Sequence, residues 1–245
     1  VYKDKSYSDQ TFTVGSTNIS PSKDRNPPPP NLTNIIQVNG IFFGNVGSKL
    51  YFSEFGNPHS WPKVGVYDMD GDITNIVEYN GEAIAFTNNA LYRARGYSFN
   101  AMQVVKTPSR QGLSSSNYDS LTEYGGQLFF VSNDGLCAYG GGSAVVLSQG
   151  KLKPFPSLIN PKSVFKDNVL YIFAGQTGGE DGVKMDTRAT QQSFSRITQR
   201  ATSRAIYDQA SDSLYIKGTE NGKYLSGDNL PLTYESGEIS GGWVE

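Results

Sequence analysis

An all-β fold, a β-propeller of about five to six four-stranded blades, is what three features of this 245-residue sequence predict. Short apolar runs recur at a near-constant interval. Each run is rich in aromatic and β-branched residues and is bounded by Gly, Asn or Asp. The composition joins 27 Gly and 12 Pro to 12% aromatic residues, as a chain of many short strands and tight turns requires.

The recurrence is plainest where Gly81–Leu91 and Gly126–Leu136 align without a gap. Each segment has a Gly-polar turn, a five-residue apolar run, a Thr or Ser, an Asn-rich turn and a second apolar start. The same frame fits runs at Ile41–Gly44, Val169–Phe173 and Leu214–Lys217. Its central positions, Phe42, Ile84, Phe129, Leu170 and Tyr215, stand 42, 45, 41 and 45 residues apart, a period of about 43. Asn88-Asn89 and Asn133-Asp134-Gly135 supply residues that tolerate the positive φ of hairpin turns. The unbroken apolarity of Leu128–Val131 and Val169–Phe173 predicts strands covered on both faces.

In chain order, the expected blades cover residues 35–75, 76–120, 121–163, 164–206 and 207 onward, so 35–245 reads as the propeller. Residues 1–34 read as an N-terminal arm. Its Phe12-Thr13-Val14 is a candidate closing strand for the last sheet, and Pro27-Pro28-Pro29-Pro30 is a stiff spacer. Ala189–Ile206 is the best helix candidate, although its Thr, Ser and Gln content weakens it.

Charge and rare residues narrow the function. Lys and Arg total 21 against 23 Asp and Glu, a net charge of −2, which argues against nonspecific wrapping of nucleic acid. No apolar run approaches the roughly 20 residues that span a bilayer, and Val1–Lys5 carries no signal-peptide character, so no membrane anchor is expected. Cys137 and His59 are the single Cys and the single His. Cys137 reads as a core residue and His59 as part of a Pro-bounded loop, so no thiolate metal cluster and no nucleophile–His pair are expected. The chain is not expected to be an enzyme or to need a cofactor.

Two clusters remain. Asp68, Asp70 and Asp72 could present carboxylates to one Ca²⁺, but Tyr79 stands where an EF-hand needs its twelfth ligand, and an Asp-Gly hairpin turn explains the cluster more simply. Arg188, Arg196, Arg200 and Arg204 follow one another at spacings of 8, 4 and 4, with no acid after Asp186. Whether on a helix face or on loop and strand, they would form a basic strip for phosphates or an acidic subunit contact. Glu54, Glu78, Glu82, Glu123, Asp134 and Asp167 are the acids open to a glycosidase pair. Ser132-Asn133-Asp134-Gly135 carries part of the Asp-box of sialidase propellers, without the Ser/Thr-Trp that follows it there.

Leu50-Tyr51-Phe52-Ser53-Glu54-Phe55-Gly56-Asn57-Pro58-His59-Ser60-Trp61-Pro62 resembles a blade segment common in bacteriophage tail proteins. Asp70–Ile76 with Ala90-Leu91-Tyr92, then Tyr124–Leu136, are similar to the pieces that follow it there, and Pro231–Glu238 is similar to their closing segment. The resemblance is to the tail nozzle, or packaged-DNA-stabilisation, proteins of short-tailed phages. It implies a structural virion protein of the tail, a homo-oligomer forming a hexameric ring, adaptor and fibre proteins as neighbours, and transient passage of DNA at ejection. The alternative reading is a carbohydrate-binding or glycan-cleaving propeller that recognises a host surface, marked by exposed Tyr or Trp beside acids at one mouth.

Overall fold

The computed structural model describes residues 12–14, 17–19, 26–63, 65–152, 158–174, 182–188, 193–197, 202–210, 212–218, 225–226, 232–233 and 240–241. Strands β1 (Phe12–Val14) and β2 (Thr17–Ile19) pair with each other. Among the described residues Phe12-Thr13-Val14 pairs with β2 and with no strand of the last sheet. Pro27–Pro30 then leads into the first of four successive four-stranded antiparallel sheets.

The first sheet is β3 (Thr33–Val38), β4 (Ile41–Val46), β5 (Lys49–Phe52) and β6 (Val66–Asp68). The second is β7 (Ile73–Tyr79), β8 (Glu82–Thr87), β9 (Leu91–Arg95) and β10 (Gln103–Lys106). The third is β11 (Thr122–Tyr124), β12 (Gln127–Ser132), β13 (Gly135–Tyr139) and β14 (Val145–Val146). The fourth is β15 (Lys162–Lys166), β16 (Val169–Phe173), β17 (Gly182–Asp186) and β18 (Ser193–Ile197). A fifth sheet shows β19 (Thr202–Asp208), β20 (Ser213–Gly218) and β21 (Leu225–Ser226), followed by the pair β22 (Leu232–Thr233) and β23 (Ser240–Gly241). Each sheet is a meander whose spatial order is its chain order, and the first strands of neighbouring sheets touch, β3 with β7, β11 with β15 and β15 with β19. This is the blade arrangement of a β-propeller, and it is the all-β fold with the four-stranded unit that the period predicts.

Successive side chains on a strand point to opposite faces, so each second strand serves two cores at once. On β8, Ala83 and Ala85 pack with Phe43, Leu50 and Phe52 of the first sheet, while Ile84 and Phe86 pack with Leu128 and Phe130 of the third. On β12, Leu128 and Phe130 face back and Phe129 and Val131 face forward onto Phe165, Leu170 and Ile172. On β16, Leu170 and Ile172 face back, and Phe173 with Tyr171 faces Leu214 and Ile216. Small Ala83 and Ala85 leave room for the large rings opposite them, whereas the next seam is filled ring on ring, with Phe86 and Phe130 edge to face at 5.2 Å.

The two faces refine the repeat. All five central positions lie on second strands, but Phe42 and Leu170 stand on the face opposite to Ile84, Phe129 and Tyr215. The face-matched set is Phe43, Ile84, Phe129, Tyr171 and Tyr215, at intervals of 41, 45, 42 and 44. The turns between first and second strands carry the same period. Asn39-Gly40 (φ 48° and 80°), Asn80-Gly81 (50° and 75°), Gly125-Gly126 (57° and 71°) and Asp167-Asn168 (51° and 64°) are two-residue turns with both φ values positive. Such turns match the twist of the strands they join and demand Gly, Asn or Asp.

Several expectations change. Residues 189–206 hold no described helix: Ser193–Ile197 and Thr202–Asp208 are strands of different sheets. The fifth sheet therefore begins at Thr202, not at residue 207. Asp70-Gly71 links β6 to β7, two separate sheets, so it is a connection between blades and not a hairpin. Gly112 is required where the connection from β10 passes over the β8–β9 turn, because a Cβ there would lie 2.2 Å from the Thr87 carbonyl oxygen. Cys137 is fully buried, donates to Ser132 Oγ at 3.2 Å, and is pushed up to about 11 by burial.

Tyr139 is also fully buried, against Tyr79 at 5.6 Å, and among the described residues its hydroxyl has no hydrogen-bond partner. Phe130→Ala is expected to destabilise the protein by about 3–5 kcal/mol, because two sheets lose one filling ring; equilibrium urea unfolding measures it. Tyr139→Phe is expected to hold or raise stability, since an unpaired buried hydroxyl costs about 1–3 kcal/mol. A lowered thermal midpoint for that variant would contradict this reading of the hydroxyl.

Candidate functional site

The meanders give the propeller two unlike ends. At one end lie the turns between first and second strands, joined by a relay of hydrogen bonds from each blade to the next. Asn39 Nδ2 donates to the Gly81 carbonyl at 2.8 Å, Tyr79 Oη to the Gly126 carbonyl at 2.5 Å, and Tyr124 Oη to Asn168 Oδ1. Lys166 Nζ continues it to the Asp212 carbonyl at 3.2 Å. Beside this relay Arg93 forms a two-pronged pair with Glu82 at 2.6 and 2.8 Å, and its Nη1 donates to the Gly141 carbonyl at 3.0 Å. The pair with Glu82 raises the Arg93 guanidinium above its ordinary value. Gly140-Gly141-Gly142-Ser143 thus supplies a carbonyl to a seam. This end is a structural rim.

At the opposite end, where the first strands begin, polar side chains close the seams. Buried Asn45 accepts from Asn34 Nδ2 at 2.8 Å and donates to the carbonyls of Gly47 and Ile73, each at 3.2 Å. Thr74 Oγ1 donates to the Leu113 carbonyl at 2.5 Å. Strands β3, β7 and β19 are all irregular here, with register shifts at Thr33/Ile36, Ile73/Asn75 and Thr202/Arg204. In the third blade a 3-10 turn, Ser115–Ser120, occupies the place of the upper first strand. Four residues before the last residue of the five first strands stand Asn34, Asn75, Ser120, Lys162 and Arg204, polar in every blade.

The 3-10 turn is held from all sides. Asn117 Nδ2 donates to the Val131 carbonyl at 3.0 Å, Ser120 Oγ donates to the Asn117 carbonyl at 2.6 Å, and Ser120 Oγ accepts from Val131 N at 3.0 Å. From the next blade, Ser163 Oγ donates to the Ser120 carbonyl at 2.8 Å and Lys162 Nζ pairs with Asp119. Between these anchors Tyr118 stands 52% exposed, with Lys162 Nζ 5.6 Å from its ring centre. Sequence reasoning did not single out Tyr118, Asp119 or Lys162. The recurring polar position four residues before each first-strand end was the available signal.

The residues singled out by sequence are not gathered. Asp68 accepts from Ser48 Oγ at 2.6 Å, Asp70 pairs with Lys106, and Asp72 lies near Gly47, so each serves a separate local contact. Lys106, then the Tyr92 hydroxyl, hold Asp70 below the usual carboxylate range. No group of three or more His, Cys, Asp or Glu among the described residues could hold a metal ion, so the Ca²⁺ candidate is not assembled. Arg188 pairs with Asp186 at 2.7 Å and holds that carboxyl below its usual range. Arg196 is on the outer strand β18, and Arg204 is on β19, beside the first strand β15. These two strands belong to different sheets. Arg200 lies outside the described residues. His59 is exposed on the β5–β6 loop, on a different sheet from buried Cys137. Glu78 Oε1 accepts from Gly81 N at 2.8 Å, and Asp167 pairs with Lys166 at 3.2 Å, both at turns.

No family model matches the chain, and no curated protein matches it. Among solved structures it is similar to the extracellular domain of the putative one component system BT4673 from B. thetaiotaomicron, at 13% identity and TM-score 0.51, over 85% of this chain and 31% of that one. It is also similar to PorZ, a bacterial surface component of the type-IX secretion system of Porphyromonas gingivalis, at 10% identity and TM-score 0.46, over 80% of this chain and 28% of that one. The chain thus spans under a third of either structure's length. The first likeness shows the fold alone. No helix among the described residues is long and apolar enough to cross a membrane.

Ser120→Ala is expected to cost about 1–3 kcal/mol, because buried Val131 N–H loses its acceptor. The exposed Ser116→Ala is expected to stay within about 0.5 kcal/mol. Thermal unfolding of the two variants side by side checks the difference.

Proposed function

We propose that this chain is a structural virion protein of a bacteriophage tail, of the nozzle or hub type. Its propeller is a rigid building block of a homo-oligomeric ring, with adaptor and fibre proteins as neighbours and DNA passing at ejection. The role is assembly, not catalysis.

The observation that carries the reading is the fold of the segment with the fullest resemblance. Leu50 and Phe52 are core residues of the first seam. The following loop closes on itself, with Glu54 N donating to the Ser60 carbonyl at 2.8 Å and Trp61 Nε1 to the Pro58 carbonyl at 2.8 Å. Trp61 is buried, and its backbone N donates to the Asn26 carbonyl at 2.8 Å, anchoring the entry to the Pro-rich spacer. Gly56 N donates to the Gly40 carbonyl at 2.8 Å, tying the loop to the first turn of the relay. The resemblance therefore rests on residues that build a blade, which is what kinship between scaffolds requires. Cores shared between every pair of neighbouring sheets give the stiffness that a load-transmitting wall needs.

The full chain is expected to sediment as a single species several times its monomer mass at low micromolar concentration, and to appear as six-fold rings in negative-stain images. A monodisperse monomer at high concentration would overturn the proposal.

A further inference from the structure

We propose that the surface formed by the 3-10 turn of the third blade and the start of β15 binds a saccharide. Tyr118 is its stacking platform, and Asp119 and Lys162 are its hydroxyl contacts. This inference does not need the ring of the scaffold reading.

Three observations lead to it. The first is the exposure of Tyr118, 52%, on a turn that is otherwise pinned by four hydrogen bonds to β12, to itself and to β15. An aromatic ring kept in solvent on a rigid support offers a preorganised face, and binding to it costs little ordering of the protein. The second is the neighbouring pair. Lys162 and Asp119 come from different blades, and their side chains are only 18% and 34% exposed, so both head groups are held in place at the platform's edge. Together they present N–H donors and carboxylate acceptors at one point, the combination that vicinal hydroxyls satisfy.

The third observation is the rim. Ser114 and Ser116, on the same segment as the platform, carry hydroxyls 2.9 Å apart. A ring set beside hydroxyl and charged groups suits a ligand with one apolar face and many hydroxyls better than an apolar protein patch. The Lys162–Asp119 pair carries no net charge, so it offers a phosphate no surplus cation beside the ring.

The test uses the full chain on a printed array of neutral and acidic oligosaccharides, followed by calorimetry with the strongest ligand. Single-stranded DNA oligonucleotides serve as the competing probe. Tyr118→Ala is expected to weaken binding about tenfold or more, equivalent to about 1.4 kcal/mol, and Tyr118→Phe to keep it within about threefold. Asp119→Asn is expected to shift the preference among array sugars. Because Tyr118 is exposed, both of its variants are expected to keep the parent melting temperature, which the same samples report. Failure of every sugar to bind, binding unaffected by Tyr118→Ala, or preferential capture of the oligonucleotides would each overturn the inference. A six-fold ring that binds no sugar defeats this inference alone, whereas a sugar-binding monomer defeats the scaffold reading alone.

Discussion

A β-strand has a two-residue period, and when both faces of its sheet must be covered no polar face is left to spare. That constraint governs this protein. Ile84 and Phe86 belong to one core and Ala83 and Ala85 to another, one residue away in sequence. The same division recurs along β12 and β16. Among the described residues no single blade has a core of its own. Each core is completed only when two sheets meet, so blade formation and blade stacking are one event energetically. Removing one large ring, such as Phe130 or Phe173, opens a void between sheets and not within one.

Apolar seams of this kind are permissive about sliding, since contact between greasy faces has little direction. Polar groups at the two ends supply the direction. Asn45 makes four side-chain hydrogen bonds, one of which crosses to the Ile73 carbonyl of the second blade, and Ser163 with Lys162 fixes the fourth blade on the third. Hydrogen bonds add only about 1 kcal/mol each in net terms, far less than the buried rings. Their contribution is register: a shift of one residue would strand several buried donors at once.

The period and the strand chemistry were legible because Gly, Asn and Asp at the first turns must recur wherever both φ values are positive. Even so, apolarity alone could not tell which face Phe42 or Leu170 occupied, since β4 and β16 are apolar on both sides. The site was less legible. The 3-10 turn at Ser115–Ser120 replaces strand geometry through hydrogen bonds to β12 and β15, partners far away in sequence. Lys162 and Asp119 meet across 43 residues, and no local pattern announces the pair. Helix-like intervals at Arg196, Arg200 and Arg204 fall across a boundary between two sheets, where sequence distance says nothing about separation in space.

The relay at the turn end has a sense of direction. Asn39, Tyr79, Tyr124 and Lys166 all donate, and every acceptor belongs to the following blade. The junctions share one direction and one place in the repeat, while the donor changes from Asn to Tyr to Lys along the row. Duplication or deletion of one whole unit of roughly 43 residues would leave each coupling intact. Gain or loss of a fraction of a unit would disrupt the couplings on both sides. Genetic change in such a chain is thereby channelled into whole-module steps, and the number of modules can drift while the architecture persists.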